Sequence, residues 1–241
     1  MKQKKTLYVV VAVLLAAVLL LSGCSSSGSS GETAAAEDEA VITYLDTGQS
    51  NATLIQTGSG QNILIDTGDA TTRKELIADL KGLGVQTIDL LVITHWHLDH
   101  AGGGKQVVEN FDVKEAWVSD NVNTNATTTK TLQALDDKNV TTETPKAGET
   151  RTFGDCVFTV VGPVKSYDDQ NNSSIVIRMT HGENGKFLFP GDMEEKAAED
   201  MVASGVDLST DVLLAAHHGS RDGSCEAFLN ALGPDFKTAV I

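Results

Sequence analysis

The sequence is poor in basic residues, with 18 Lys and Arg against 33 Asp and Glu in 241 residues and a formal net charge of −15. Lys2, Lys4 and Lys5 are three of those positives, so the chain beyond them carries about −18. Such a balance favours solubility and gives no sign of a broad basic surface for polyanions. Cysteine is scarce as well, at three residues. Apart from Cys24, only Cys156 and Cys225 remain, and these either pair or stand as separate thiols. Histidine numbers six, which makes its placement informative. Long apolar runs are confined to Leu7–Leu21, a stretch of about 15 residues that is short for a membrane span.

Basic residues precede that run and small residues close it, the pattern of a secretory signal. The ending Leu21-Ser22-Gly23-Cys24 resembles the lipobox of bacterial lipoproteins. That resemblance implies cleavage before Cys24, acylation of its sulfur, and a domain held to the cell membrane on the extracytoplasmic face. An uncleaved anchor helix is the alternative. Residues 1–23 are thus expected as signal peptide. Residues 24–40, made of Ser, Gly, Ala, Thr and acid without apolar period, are expected as a flexible tether. Residues 41–241 form one globular domain.

Within that domain, Val41–Leu45, Ala52–Gln56 and Asn62–Ile65 read as strands of an antiparallel meander. Helical spacing covers Thr72–Leu83, with Gly84 as the stop, and also Ala101–Phe111 and Asn125–Asp137. Leu90–Thr94 is a continuous apolar strand, and Ala116–Val118 a short one. A second strand group comprises Val157–Val161, Ser174–Thr180 and Lys186–Phe189. Helix Met193–Ser204, strand Val212–Ala216, helix Cys225–Leu232 and the strand beginning at Thr238 follow. Two strand-rich halves, each mixed with helices, predict two packed sheets flanked by helices.

Strand Leu90–Thr94 runs into His95-Trp96-His97-Leu98-Asp99-His100-Ala101-Gly102-Gly103-Gly104. Imidazole and carboxylate at this density suit zinc, and also manganese or iron. Where a strand turns into a helix, His95 and His97 can face one ion while Asp99 and His100 face a second. The glycines permit close backbone approach at the helix start. His217 and His218 form another cluster, also just after an apolar strand, so five of the six histidines lie in two groups. Asp192, in Pro190-Gly191-Asp192 at a third strand end, is placed to bridge two ions.

The His-x-His-x-Asp-His motif, the later Gly-Asp and the later strand-end His resemble the metallo-β-lactamase superfamily. Leu45-Asp46-Thr47-Gly48-Gln49, Leu64-Ile65-Asp66-Thr67-Gly68, Asn171-Asn172-Ser173-Ser174 and His217-His218-Gly219-Ser220 resemble its ComEC/Rec2-like branch, which includes the hydrolase domain of a DNA-uptake channel. The resemblance covers Val41 to Ile241. It implies a mixed α/β (α+β) fold, a four-layer αββα sandwich with two divalent ions, zinc with manganese as the alternative, at the edge of the sheets. His95 and His97 match ligands of the first ion, Asp99 and His100 those of the second, and Asp192 the bridge. His217 or His218 completes the second site, and the spacing does not choose between them. Asp66 matches a buried residue supporting the metal loop.

Three departures accompany the resemblance. Asn171–Ser174 stands where many members have a third first-site histidine, and His181 reads as part of a hairpin turn. Asn51 stands where the branch often has an acidic residue. The chain also ends at Ile241 partway into a strand, so an incomplete C-terminal part is expected.

Asp99 and His218 are expected in catalytic roles. Asp99 would bind metal and orient the nucleophile, and the member of His217/His218 that is not a ligand would give a proton or bind a substrate oxygen. The expected activity is hydrolysis of a phosphodiester, in DNA or another nucleic acid or in a cell-envelope polymer, by a chain anchored through Cys24. The alternatives are amide or lactam hydrolysis, and a non-catalytic metal-binding module of an uptake or envelope complex.

Overall fold

A computed structural model describes residues 39–183 and 185–241, so the expected signal peptide, the Cys24 lipidation site and all but the end of the tether lie outside the described residues. The chain opens with the antiparallel meander β1 (Val41–Tyr44), β2 (Thr53–Gln56) and β3 (Asn62–Ile65). Helix α1 (Arg73–Gly82) and the short β4 (Thr87–Ile88) lead into β5 (Leu90–Ile93). Two helical pieces follow, α2 (Leu98–Ala101) and α3 (Gly104–Asn110), then β6 (Asp112–Val113), β7 (Glu115–Val118), α4 (Ala126–Asp137) and β8 (Thr141–Glu143). The second half holds β9 (Thr150–Phe153), β10 (Cys156–Gly162), β11 (Val176–His181), β12 (Gly185–Phe189), α5 (Glu195–Ser204), β13 (Val212–Leu214), α6 (Glu226–Ala231) and β14 (Thr238–Val240).

Two six-stranded sheets result, ordered β1-β2-β3-β5-β7-β8 and β14-β13-β12-β11-β10-β9. Alternation along each strand assigns the layers, because successive side chains point to opposite faces. In β5, Leu90 and Val92 pack between the sheets against Phe158, Ile177 and Phe189, whereas Leu91 and Ile93 pack outward on Leu76, Leu80 and Val107. On the second sheet, Leu188 and Leu213 face outward onto Ala198 and Met201 of α5 and Phe228 of α6. The layer order is therefore αββα, as expected. Each such buried aliphatic side chain contributes roughly 1.5–3 kcal/mol.

Pairing is parallel from β3 through β5 and β7 to β8, and from β12 through β13 to β14. The C-terminal ends of β3, β5, β12 and β13 converge on one edge, where they deliver Asp66, His95, Asp192 and His218. Ile175 N–H donating to the Thr94 carbonyl (2.9 Å) and Ser119 Oγ donating to the Ser173 carbonyl (3.0 Å) tie the two sheets together there.

Four strands escape the apolar pattern: β4, β6, β8 and β9. β8 is exposed at every residue, so backbone pairing places it without a hydrophobic signature. The helix expected over Ala101–Phe111 is divided at Gly102–Gly103, and the strand expected to reach Ala216 ends at Leu214. Cys156 and Cys225 are not joined in a disulfide.

Candidate metal centre

As β5 ends, Trp96 turns into the core and donates its indole N–H to the Ser119 carbonyl at 2.8 Å. His95 and His97, on either side of it, face the opposite way, with ring centroids 4.7 Å apart. Helix α2 then presents Asp99 and His100. It is held by Asn51 N–H on the Asp99 carbonyl (3.1 Å) and by the Thr67 N–H and hydroxyl on the His100 carbonyl (2.7 and 2.9 Å). A Cβ at Gly103 would lie 2.4 Å from the Thr67 carbonyl oxygen, so glycine is what lets these segments touch.

Asp66 is buried with φ +61°. Its carboxylate accepts from Thr94 N–H at 2.8 Å, from the Thr94 hydroxyl at 2.8 Å and from His100 Nδ1 at 2.7 Å. That last bond directs His100 Nε2 to the centre, 3.0 Å from Asp192 Oδ1 and 3.3 Å from His218 Nε2. Asp192 follows Gly191, and its N–H donates to Ser174 Oγ at 3.2 Å. Asp192 Oδ2 lies 3.8 Å from His95 Nε2 and 3.4 Å from His218 Nε2.

Two donor sets emerge. Asp99, His100, Asp192 and His218 form one, and His95, His97 and Asp192 the other, with the ligand atoms of each set within 4.8 Å of one another. Asp192 belongs to both, the position of a bridge. The donor set fits divalent ions, because imidazole nitrogens face each other at 3.1 Å (His95 Nε2, His97 Nδ1) and 3.3 Å (His100, His218) with carboxylates beside them.

The pair His217-His218 has left-handed backbone at both residues, φ 49° and 53°. The turn sends His218 Nε2 to within 3.1 Å of Asp99 Oδ2. His217 joins neither set: its Nδ1 lies 3.3 Å from Glu194 Oε1 and its Nε2 3.9 Å from Asp192 Oδ2. The geometry thus brings His218, and not His217, into a donor set. Non-glycine residues in this region cost about 1–3 kcal/mol each and cluster at functional sites.

Electrostatics follow from packing. Burial pushes the Asp192 carboxyl up, but hydrogen bonds from His100 and His218 outweigh it and hold the group well below its ordinary value. Burial opposes a charge on His100, yet Asp66 and Asp192 raise it to about 10. Hydrogen bonding to Asp192 and then Asp99 raises His218 to about 9. Burial pushes His95 well down.

His181 ends β11, paired with Gly185 across the hairpin and outside both donor sets. Asn171–Ser174 instead props the centre: Ser174 accepts from Asp192, and Asn171 Nδ2 donates to Glu194 Oε1 at 2.7 Å. Glu194 is a neighbour of the site that spacing did not reveal, since only folding brings Asn171 and His217 to it. Asn51 contributes its backbone, and its buried side-chain nitrogen has no hydrogen-bond partner among the described residues.

A family model described as the metallo-beta-lactamase superfamily matches residues 45–241. The chain belongs to that superfamily. It is 27% identical over 221 residues to ComE operon protein 3 of Bacillus subtilis (strain 168), covering 84% of this chain and 28% of that protein. It is 29% identical over 222 residues to Competence protein ComA of Neisseria gonorrhoeae, covering 84% and 27%. The chain thus spans about a quarter of the length of these relatives. A metallo-beta-lactamase with a HARLDQ motif from Cronobacter sakazakii superposes with a TM-score of 0.54 at 17% identity over 78% of each chain, which shows the fold alone. Fold and site together are those of a metallo-beta-lactamase-fold hydrolase related to competence proteins.

Proposed function

We propose that the protein is a two-metal phosphodiesterase acting outside the cytoplasm on nucleic acid or a cell-envelope phosphodiester. The observation that carries the reading is the pair of donor sets joined through Asp192. Zinc suits the histidine-rich sets, with manganese as the alternative. Divalent ions held there supply Lewis acidity to a phosphoryl oxygen and to attacking and leaving oxygens.

The chain's own residues do the rest. His95, His97 and Asp192 would hold one ion, and Asp99, His100, His218 and Asp192 the other. Asp66 fixes the orientation of His100 through Nδ1 and strengthens its free nitrogen as a donor. Asp99 lies beside His218 at the half-exposed side of the centre and orients the nucleophile. His217, whose Nδ1 lies 3.3 Å from the Glu194 carboxylate that Asn171 holds, is the group placed to hydrogen-bond a substrate oxygen.

A phosphodiester substrate is supported by the similarity to proteins named for competence, not by surface charge, which at −15 disfavours non-specific polyanion binding. Attraction must therefore be local. Anchoring through Cys24 rests on the N-terminal sequence. Among the described residues no helix is long and apolar enough to cross a membrane. The test is turnover of bis-p-nitrophenyl phosphate and of single-stranded DNA by the metal-loaded chain. Turnover of both is expected. Failure on both, with turnover of nitrocefin, would reassign the protein to lactam hydrolysis.

A further inference from the structure

The edge that carries the donor residues continues past them. β5, β7 and β8 are parallel neighbours, so their C-terminal ends share that edge at spacings of about 5 Å per strand. Beyond the ends of β7 and β8, facing the exit of β10 and the approach to β11, lies a cavity of about 310 Å³. Its wall includes Ser119, Ser173 and Ile175. The other side of that wall is the metal centre, since Ser119 accepts from Trp96, Ile175 donates to Thr94, and the adjoining Ser174 holds Asp192.

Two ammonium groups, Lys146 and Lys165, line this cavity with one carboxylate, Asp120. With the Asp200 that pairs with Lys165 counted, the cavity is locally neutral within a chain of net charge −15. Lys165 is held by Asp200 at 2.6 Å, whereas Lys146 has no carboxylate partner among the described residues. Pro145 and Pro163 add apolar wall. The Ser119 and Ser173 hydroxyls already donate to backbone carbonyls, so the Lys146 ammonium and the flat apolar surface are the groups left to receive a phosphate and the sugar or base attached to it.

We propose that this cavity is a second-phosphate subsite, which holds the phosphate neighbouring the one at the metal centre and so selects phosphodiester polymers over isolated diesters. The proposal rests on the phosphodiesterase reading above. The same chemistry serves a single-stranded nucleic acid and a glycerol-phosphate polymer.

The test is binding of a hydrolysis-resistant phosphorothioate thymidylate strand, and in parallel of poly(glycerol phosphate), to the full chain across a salt series. Lys146→Ala should weaken binding about tenfold and reduce the slope of log K against log salt by about 0.7, the share of one phosphate contact on a single strand. Lys146→Arg should restore both. Lys114→Ala, at the opposite end of β7, serves as the control and should change neither. The polymer whose binding depends on Lys146 identifies the source of the phosphate. A slope unchanged by Lys146→Ala, or no binding of either polymer, would overturn the subsite. Turnover of bis-p-nitrophenyl phosphate by the unaltered chain tests the underlying reading separately. Turnover with a Lys146-independent slope removes the subsite alone, and Lys146-dependent binding without turnover removes the phosphodiesterase reading alone.

Discussion

His100 Nδ1 donates to Asp66 Oδ2 at 2.7 Å, inside a buried pair that no solvent loosens. Because the same carboxylate holds Thr94, one side chain fixes both the end of β5 and the direction of a donor nitrogen. Partners of this kind typically carry 10–100-fold in metal affinity. Asp66→Asn should therefore lower the affinity for one of two ions by about that factor, read by competition against a chelator, while the other ion binds as before. Equal affinities in both proteins would show that Asp66 is merely structural.

The two members of His217-His218 should separate cleanly. His218→Ala should reduce the metal content of the equilibrated chain from two ions toward one. His217→Ala should keep both ions and lower kcat on bis-p-nitrophenyl phosphate by about 10²-fold. Elemental analysis beside the kinetics checks this, and the reverse pattern would exchange the two roles.

Metal uptake should release protons. In the metal-free chain His100 is raised to about 10 and His218 to about 9, so both retain protons at neutral pH that an ion must displace. Affinity should climb with pH and level off above about 10. The linked stability has the opposite slope, because a folded pKa above the unfolded value of about 6.5 stabilises most below that value. Its contribution in the metal-free protein is complete below about 6.5 and disappears as pH rises through about 10. Calorimetric titrations in buffers of differing ionisation enthalpy would show the released protons, and a buffer-independent heat would contradict the assignment.

Gly103→Ala should destabilise the fold by about 1–3 kcal/mol, since the new methyl meets the Thr67 carbonyl oxygen with only backbone to yield. A thermal midpoint equal to that of the unaltered chain would show that α2 and α3 can shift without cost.

The sandwich was legible because Leu90 to Ile93 is too short and too branched for a core helix, and because apolar runs recur between turn residues. β8 was not, since a fully exposed polar strand at a sheet edge carries no apolar signature, and β9 was not, since Phe153 is its single apolar residue. His95, His97, Asp99 and His100 stand in one segment, so their convergence is a local matter that spacing shows. The place of Asp66 came only through family resemblance, for its contact with His100 spans 34 positions. The choice of His218 over His217 depends on two left-handed backbone residues, a conformation neither histidine announces. Glu194 was invisible because its partners Asn171 and His217 reach it from separate loops.

The most direct test is the rate of bis-p-nitrophenyl phosphate hydrolysis as zinc, and separately manganese, is added to chelator-stripped protein. Turnover that rises and saturates at two ions per chain is the predicted result. Saturation at one ion, or no turnover at any loading, would contradict a two-metal phosphodiesterase centred on Asp192.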